Sequence, residues 1–116
     1  MTFDQMMAEL REEYLASMPG KITDIESHII ARDCEKLRDD FHKLKGTGKT
    51  YGIPEISELG ECMEKLCLKD FDKALECARQ AIRILSQIKD CRSNGNQPFT
   101  LASDSEFPAI LQALKS

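Results

Sequence analysis

The sequence predicts an all-α domain: an antiparallel up-down four-helix bundle with an additional N-terminal helix and a short C-terminal tail helix. Three observations predict it. Apolar residues recur at spacings of three and four along most of the chain, with no strand-like alternation of useful length. Leu, Ile, Ala, Met, Glu and Lys dominate, aromatics make up 6% and Trp is absent, a composition that favours helix over sheet. Breaks marked by Pro, Gly and Asp divide the periodic stretches, and short turns between amphipathic helices favour antiparallel neighbours. With 116 residues there is room for one compact domain.

The first helix carries a stripe of Phe3, Met7, Leu10 and Tyr14 and is expected to end near Pro19-Gly20, because proline disfavours the helical conformation in the residue before it. The second carries Met18, Ile22, Ile25 and Ile29. Asp33 caps the third by accepting from free backbone amides, and the helix runs on through Leu37, Phe41, Leu44, Gly48 and Tyr51 to stop at Gly52. Pro54 suits the first turn of the fourth, where its missing N–H costs nothing, and the stripe there is Ile56, Leu59, Met63 and Leu66. Asp70 caps the fifth, with an expected buried face of Phe71, Leu75, Ala78, Ile82 and Leu85, and with Ala74 and Ala81 letting a neighbouring helix come close. Residues 1–91 are read as the bundle. Residues 92–116 are read as a linker, Ser93 to Pro98, and a short amphipathic helix with Phe107, Ile110, Leu111 and Leu114 on its apolar side. That helix is expected to pack on its own bundle, since isolated helices of this length are marginal in water. Folded back, it would restrict docking.

A formal charge of −4 argues against nucleic acid as a partner, which calls for clustered cations in excess. Asp4, Glu9, Arg11, Glu12 and Glu13 interrupt the Met-rich start, so it reads as neither a signal peptide nor a membrane span, and a cytoplasmic setting is expected. The five cysteines read as reduced, mostly packed thiols: none pair as Cys-x2-Cys, and neither histidine stands at ligand spacing with them, so no metal site is expected. Gly48-Lys49-Thr50 ends like a phosphate-binding loop, but Lys43 stands where its first Gly is required and no strand precedes it. Glu58, Glu61 and Glu64 read as a solvated helix surface. His28 reads as a partly exposed packing residue.

The third helix carries the chemistry. At about 100° per residue, Leu37, Phe41, Leu44, Gly48 and Tyr51 fall within roughly 40° of one line, and His42 stands about 140° from it, toward solvent. Arg38, Lys45 and Lys49 share its side of the helix, and Gly46, one turn on, puts no side chain beside the ring. An exposed imidazole titrates near neutrality and can attack phosphorus, while neighbouring cations neutralise phosphoryl oxygens.

The stretch FHKLKGTGKTYGIPEISELGECMEKL resembles the signature of the histidine-containing phosphotransfer family: His42, Lys45, Gly46 and Gly52 match its motif positions, and Leu44, Leu59 and Leu66 its apolar ones. The upstream tract YLASMPGKITDIESHIIARDCEKLRDDFHKLKG has the family's spacing, and the similarity covers about residues 1 to 90. The resemblance implies a helical bundle whose His42 accepts a phosphoryl group on Nε2 from a receiver aspartate and passes it to another receiver. It implies response-regulator receiver domains and a hybrid sensor kinase as partners, Mg2+ in the receiver and no cofactor on this chain. A phosphocarrier, without its own ATP-binding or kinase domain and monomeric rather than dimeric, is expected. Lys43, Thr47 and Gly48 depart from the family's usual residues, which bears on partner preference, and Lys43 is counted with Arg38, Lys45, Gly46 and Lys49 among the residues expected to meet the phosphate or the partner. The competing class is a helical adaptor that docks or sequesters a regulator without being phosphorylated.

Overall fold

A computed structural model describes all 116 residues. Its elements are α1 (Phe3–Ala16), α2 (Met18–Ile30), α3 (Cys34–Thr50), α4 (Pro54–Lys69), α5 (Phe71–Ser93), a single 3-10 turn (Leu101–Ser103) and α6 (Phe107–Lys115). The helices α2, α3, α4 and α5 pack in a ring, each against the next and α5 back on α2, which closes the expected four-helix bundle. Starts and stops follow the sequence signals. Asp33 accepts from the Lys36 amide and Asp70 from the Lys73 amide, Pro54 opens α4, and Gly52 leaves α3 with φ +77°, a conformation open to glycine at no steric cost. The core is continuous, with Leu37, Phe41, Ile53, Ile56, Leu59, Met63, Leu66 and Leu85 fully buried.

Four expectations need correction. The break between α1 and α2 falls at Ser17, not at Pro19-Gly20: Pro19 occupies the first turn of α2, where no N–H is needed, and the Ser17 hydroxyl donates to the Tyr14 carbonyl. Of the α1 stripe only Tyr14 is buried. Phe3 is 70% exposed, and Met7 and Leu10 are half-buried, because α1 meets the bundle only through its C-terminal part. The buried face of α5 centres on Ala74, Ala78, Ala81, Leu85 and Ile88, with Phe71, Leu75 and Ile82 at its margins. The alanines let the neighbouring helices approach closely, and α6 covers a second side of α5, around Cys77.

The last correction concerns the tail. The fifth helix runs to Ser93, two residues beyond the expected boundary, and Leu101, Phe107 and Ile110 are buried in the same core as the bundle. The α6 helix does fold back, but onto α4 and α5. Its ties are Arg83 of α5 to Glu106 and Lys69 of α4 to the Leu114 carbonyl, and neither involves α3, which bears His42. Its return is fixed by a buried carboxylate. Glu55 accepts two bonds from the Arg92 guanidinium, at 2.9 and 2.7 Å, and one from the Phe99 amide at 2.9 Å. Burial pushes its pKa up, but these bonds outweigh burial and hold it below the usual carboxylate value.

Candidate functional site

The site sits where α3 and α4 come closest. A Cβ added at Gly60 would stand 2.7 Å from both the Lys45 nitrogen and the Phe41 carbonyl, so only glycine at this position lets the backbones meet. Gly48 does the same in the last turn of α3, where a Cβ would stand 2.6 Å from the Ser57 backbone nitrogen and hydroxyl. One turn on from Gly60, Glu64 is thereby placed against His42.

His42 is 64% exposed, and its Nδ1 lies 3.0 Å from Glu64 Oε2. Glu64 itself is largely covered, so a carboxylate fixed in the α3/α4 groove holds the ring by one nitrogen. An ionised carboxylate can only accept, which puts a proton on Nδ1 and leaves Nε2 with its lone pair whenever the ring is neutral. Arg38, Asp39, His42, Glu64 and Leu68 line a shallow, open depression, and Leu68 presents an apolar side chain that is 64% exposed.

The predicted neighbours divide into two groups. Arg38 and Lys49 are exposed and Lys45 is half-buried, and none of the three has an ion-pair partner within the chain. The positive field of Lys45 and Lys49 is felt at Glu61, whose carboxyl is held below its usual range mainly by Lys65 and further by these two. Lys43, by contrast, is tied to Asp39 at 3.1 Å, and that bond raises its pKa. It is the least available of the expected cations. Gly46 is exposed and a Cβ there would meet nothing within 4 Å. Thr47 faces inward: its hydroxyl bonds the Tyr14 hydroxyl at 2.8 Å, and Tyr14 stacks on Tyr51, pinning α1 to α3.

The family model of the Hpt domain matches residues 9–115. The chain belongs to the Hpt-domain family. Hpt domains are helical bundles of phosphorelay signalling that interact with receiver domains and kinases. The match extends through α6, so the tail lies inside the Hpt domain and not beyond it, as the resemblance over residues 1 to 90 had implied. No curated protein and no solved structure matches the chain. No helix of this Hpt domain is long and apolar enough to cross a membrane, and no group of three or more His, Cys, Asp or Glu side chains is placed to hold a metal ion.

Sequence reasoning missed Glu64 and Leu68, the first taken for a solvated surface residue and the second not singled out. The only signal for Glu64 was its place one turn after Gly60. It also missed that His28 is not a simple packing residue: its Nδ1 lies 2.5 Å from Asp40 Oδ2, linking α2 to α3 two residues before His42. Burial raises the Asp40 pKa, and His28 opposes that rise.

Proposed function

We propose that this Hpt domain carries a phosphoryl group on Nε2 of His42, accepting it from the aspartate of one receiver domain and passing it to the aspartate of another. The observation that carries the reading is the exposed His42 ring with Nδ1 engaged by Glu64 and Nε2 without a partner. In the transfer, the Nε2 lone pair attacks the phosphorus of the aspartyl phosphate. A nitrogen–phosphorus bond forms as the bond from phosphorus to the aspartyl oxygen breaks, and the receiver's carboxylate leaves with the electron pair. The ring becomes cationic while Nδ1 keeps its proton, and the Glu64 carboxylate faces that charge. Passing the group on reverses each step against a second receiver.

Arg38, Lys45 and Lys49 stabilise the phosphoryl oxygens, which carry negative charge throughout. Lys43, paired with Asp39, contacts the partner instead of the phosphate. Gly46 leaves the receiver's loops room to approach, and Gly52 acts structurally by ending α3. The receiver contributes the aspartate and a Mg2+ ion, so the reading needs no cofactor on this chain and makes it a phosphocarrier, working as a monomer in the cytoplasm beside a hybrid sensor kinase.

The test is transfer from a receiver charged with acetyl phosphate in the presence of Mg2+. The parent chain should acquire an acid-labile, base-stable label, and His42→Gln should acquire none. Equal labelling of His42→Gln refutes the assignment. Binding of the receiver by a parent chain that never becomes labelled would replace it with the adaptor reading.

A further inference from the structure

All five cysteines are free, and Cys34 is the exposed one. It is the first residue of α3, while Cys67 lies in the last turn of α4, and the antiparallel pairing of these helices brings the two together. The Cys34 thiol lies 4.0 Å from the Cys67 carbonyl oxygen. Along α4, Gly60, Glu64 and Cys67 follow at spacings of four and three and meet α3 in turn, at Phe41 and Lys45, at His42, and at Cys34. The cysteine contact therefore lies one turn further along α4, and two turns back along α3, from the contact that holds the His42 ring. Cys67 is only 4% exposed, and its thiol is pushed up to about 12, first by burial and then by the neighbouring Cys34. It is shielded from reagents in solution, whereas Cys34 is open to them.

We propose that Cys34 and Cys67 form a reversible disulfide when the protein meets a small-molecule disulfide such as oxidised glutathione. The exposed Cys34 thiolate attacks one sulfur of oxidised glutathione: a mixed disulfide forms on Cys34, the glutathione sulfur–sulfur bond breaks, and one glutathione leaves as thiolate. Cys67 then gives up its proton, and its thiolate attacks the Cys34 sulfur, displacing the second glutathione. Two protein thiols are oxidised, one small disulfide is reduced to two thiols, and the two thiol protons end on the two glutathiones. Closing the bond requires the Cys34 sulfur to move off the Cys67 carbonyl, and an exposed side chain in a first helical turn is free to do so. The crosslink ties α3 to α4 beyond the His42–Glu64 contact, and a thiol reductant releases it.

The full chain is exposed to oxidised glutathione, the remaining thiols are alkylated, and the protein is digested and mapped by mass spectrometry. The parent chain should lose two hydrogens and yield a peptide pair joined through Cys34 and Cys67, reversed by dithiothreitol, with Cys62, Cys77 and Cys91 alkylated. Cys67→Ala should hold glutathione on Cys34 as a stable adduct. Cys34→Ser, changed at an exposed position that leaves the core intact, should yield neither adduct nor crosslink. A parent chain that keeps glutathione on Cys34 without closing, stays fully reduced, or crosslinks through any other cysteine or between two copies overturns the proposal.

Discussion

Gly46 offers the sharpest separation of fold from function. It lies inside α3 with an ordinary helical backbone, and a Cβ there would touch nothing within 4 Å. A glycine in a helix interior is about 0.8–1 kcal/mol less favourable than alanine. Gly46→Ala should therefore stabilise the domain by about 0.8–1 kcal/mol, raising Tm by roughly 3–6 °C at this chain length. The same change at Gly48 or Gly60 drives a Cβ to within 2.6 or 2.7 Å of backbone atoms across the α3/α4 contact. Backbone must shift there, and each variant should lose about 1–3 kcal/mol. Function runs the other way. A longer, helix-favouring side chain, Gly46→Gln, leaves the fold intact but stands one turn from His42, where the proposed function has the receiver approach. Transfer should slow by about tenfold or more, each tenfold corresponding to about 1.4 kcal/mol in the barrier. Thermal unfolding by circular dichroism and the rate of label loss from a phosphorylated receiver measure the two effects on the same samples. Parent-rate transfer by Gly46→Gln, or destabilisation by Gly46→Ala, would refute the reasoning.

Glu64→Ala removes the carboxylate that holds Nδ1, at a partly exposed site where such a bond contributes about 1 kcal/mol; transfer should fall about fivefold and the imidazole tautomer ratio should shift in nitrogen NMR. Unchanged tautomer and rate together would remove Glu64 from the site. Glu55→Gln leaves the Arg92 charge buried without its partner and should cost about 3–5 kcal/mol in urea unfolding, with faster amide exchange at Phe99. Because the folded state lowers the Glu55 pKa, its contribution is full above the ordinary value near 4.5 and is lost as pH falls through the lowered one. Glu55→Gln should abolish that part of the acid destabilisation, and an unaltered stability profile across this window would count against the latch. Removing residues 104–116 uncovers core around Phe107 and Ile110, which should cost about 3–6 kcal/mol in a thermal melt without speeding transfer, and faster transfer by the folded fraction would contradict the placement of α6.

The bundle was legible because its signals are local. Asp33, Gly52, Pro54 and Asp70 act within a turn of the helix ends they set, and the α4 stripe of Ile56, Leu59, Met63 and Leu66 is buried throughout. The errors arise where a second packing partner enters. Phe71, Leu75 and Ile82 form a good stripe on α5 by periodicity, yet α6 draws a wider face of that helix inward and leaves the alanines at its centre. The tail looked like a linker because its composition is turn-rich. What holds it is Glu55, forty-four residues before Phe99, and one carboxylate on an amphipathic helix carries no mark of a partner so far along the chain.

The same distinction divides the site. The exposure of His42 follows from the helical angle within α3 alone, as does the placing of Arg38, Lys45 and Lys49 on its side. Glu64 requires the register between two helices, and that register is set by how closely they approach. Gly60 and Gly48 fix the approach, since any side chain at either would meet backbone of the neighbouring element. Once the helices touch there, the residue one turn after Gly60 must lie beside the turn that bears His42. Three glycines thus read alike in the sequence but answer to different demands: Gly48 and Gly60 are required by what lies inside the molecule. Nothing inside requires Gly46, and in the proposed reading its bare backbone serves the receiver that arrives from outside.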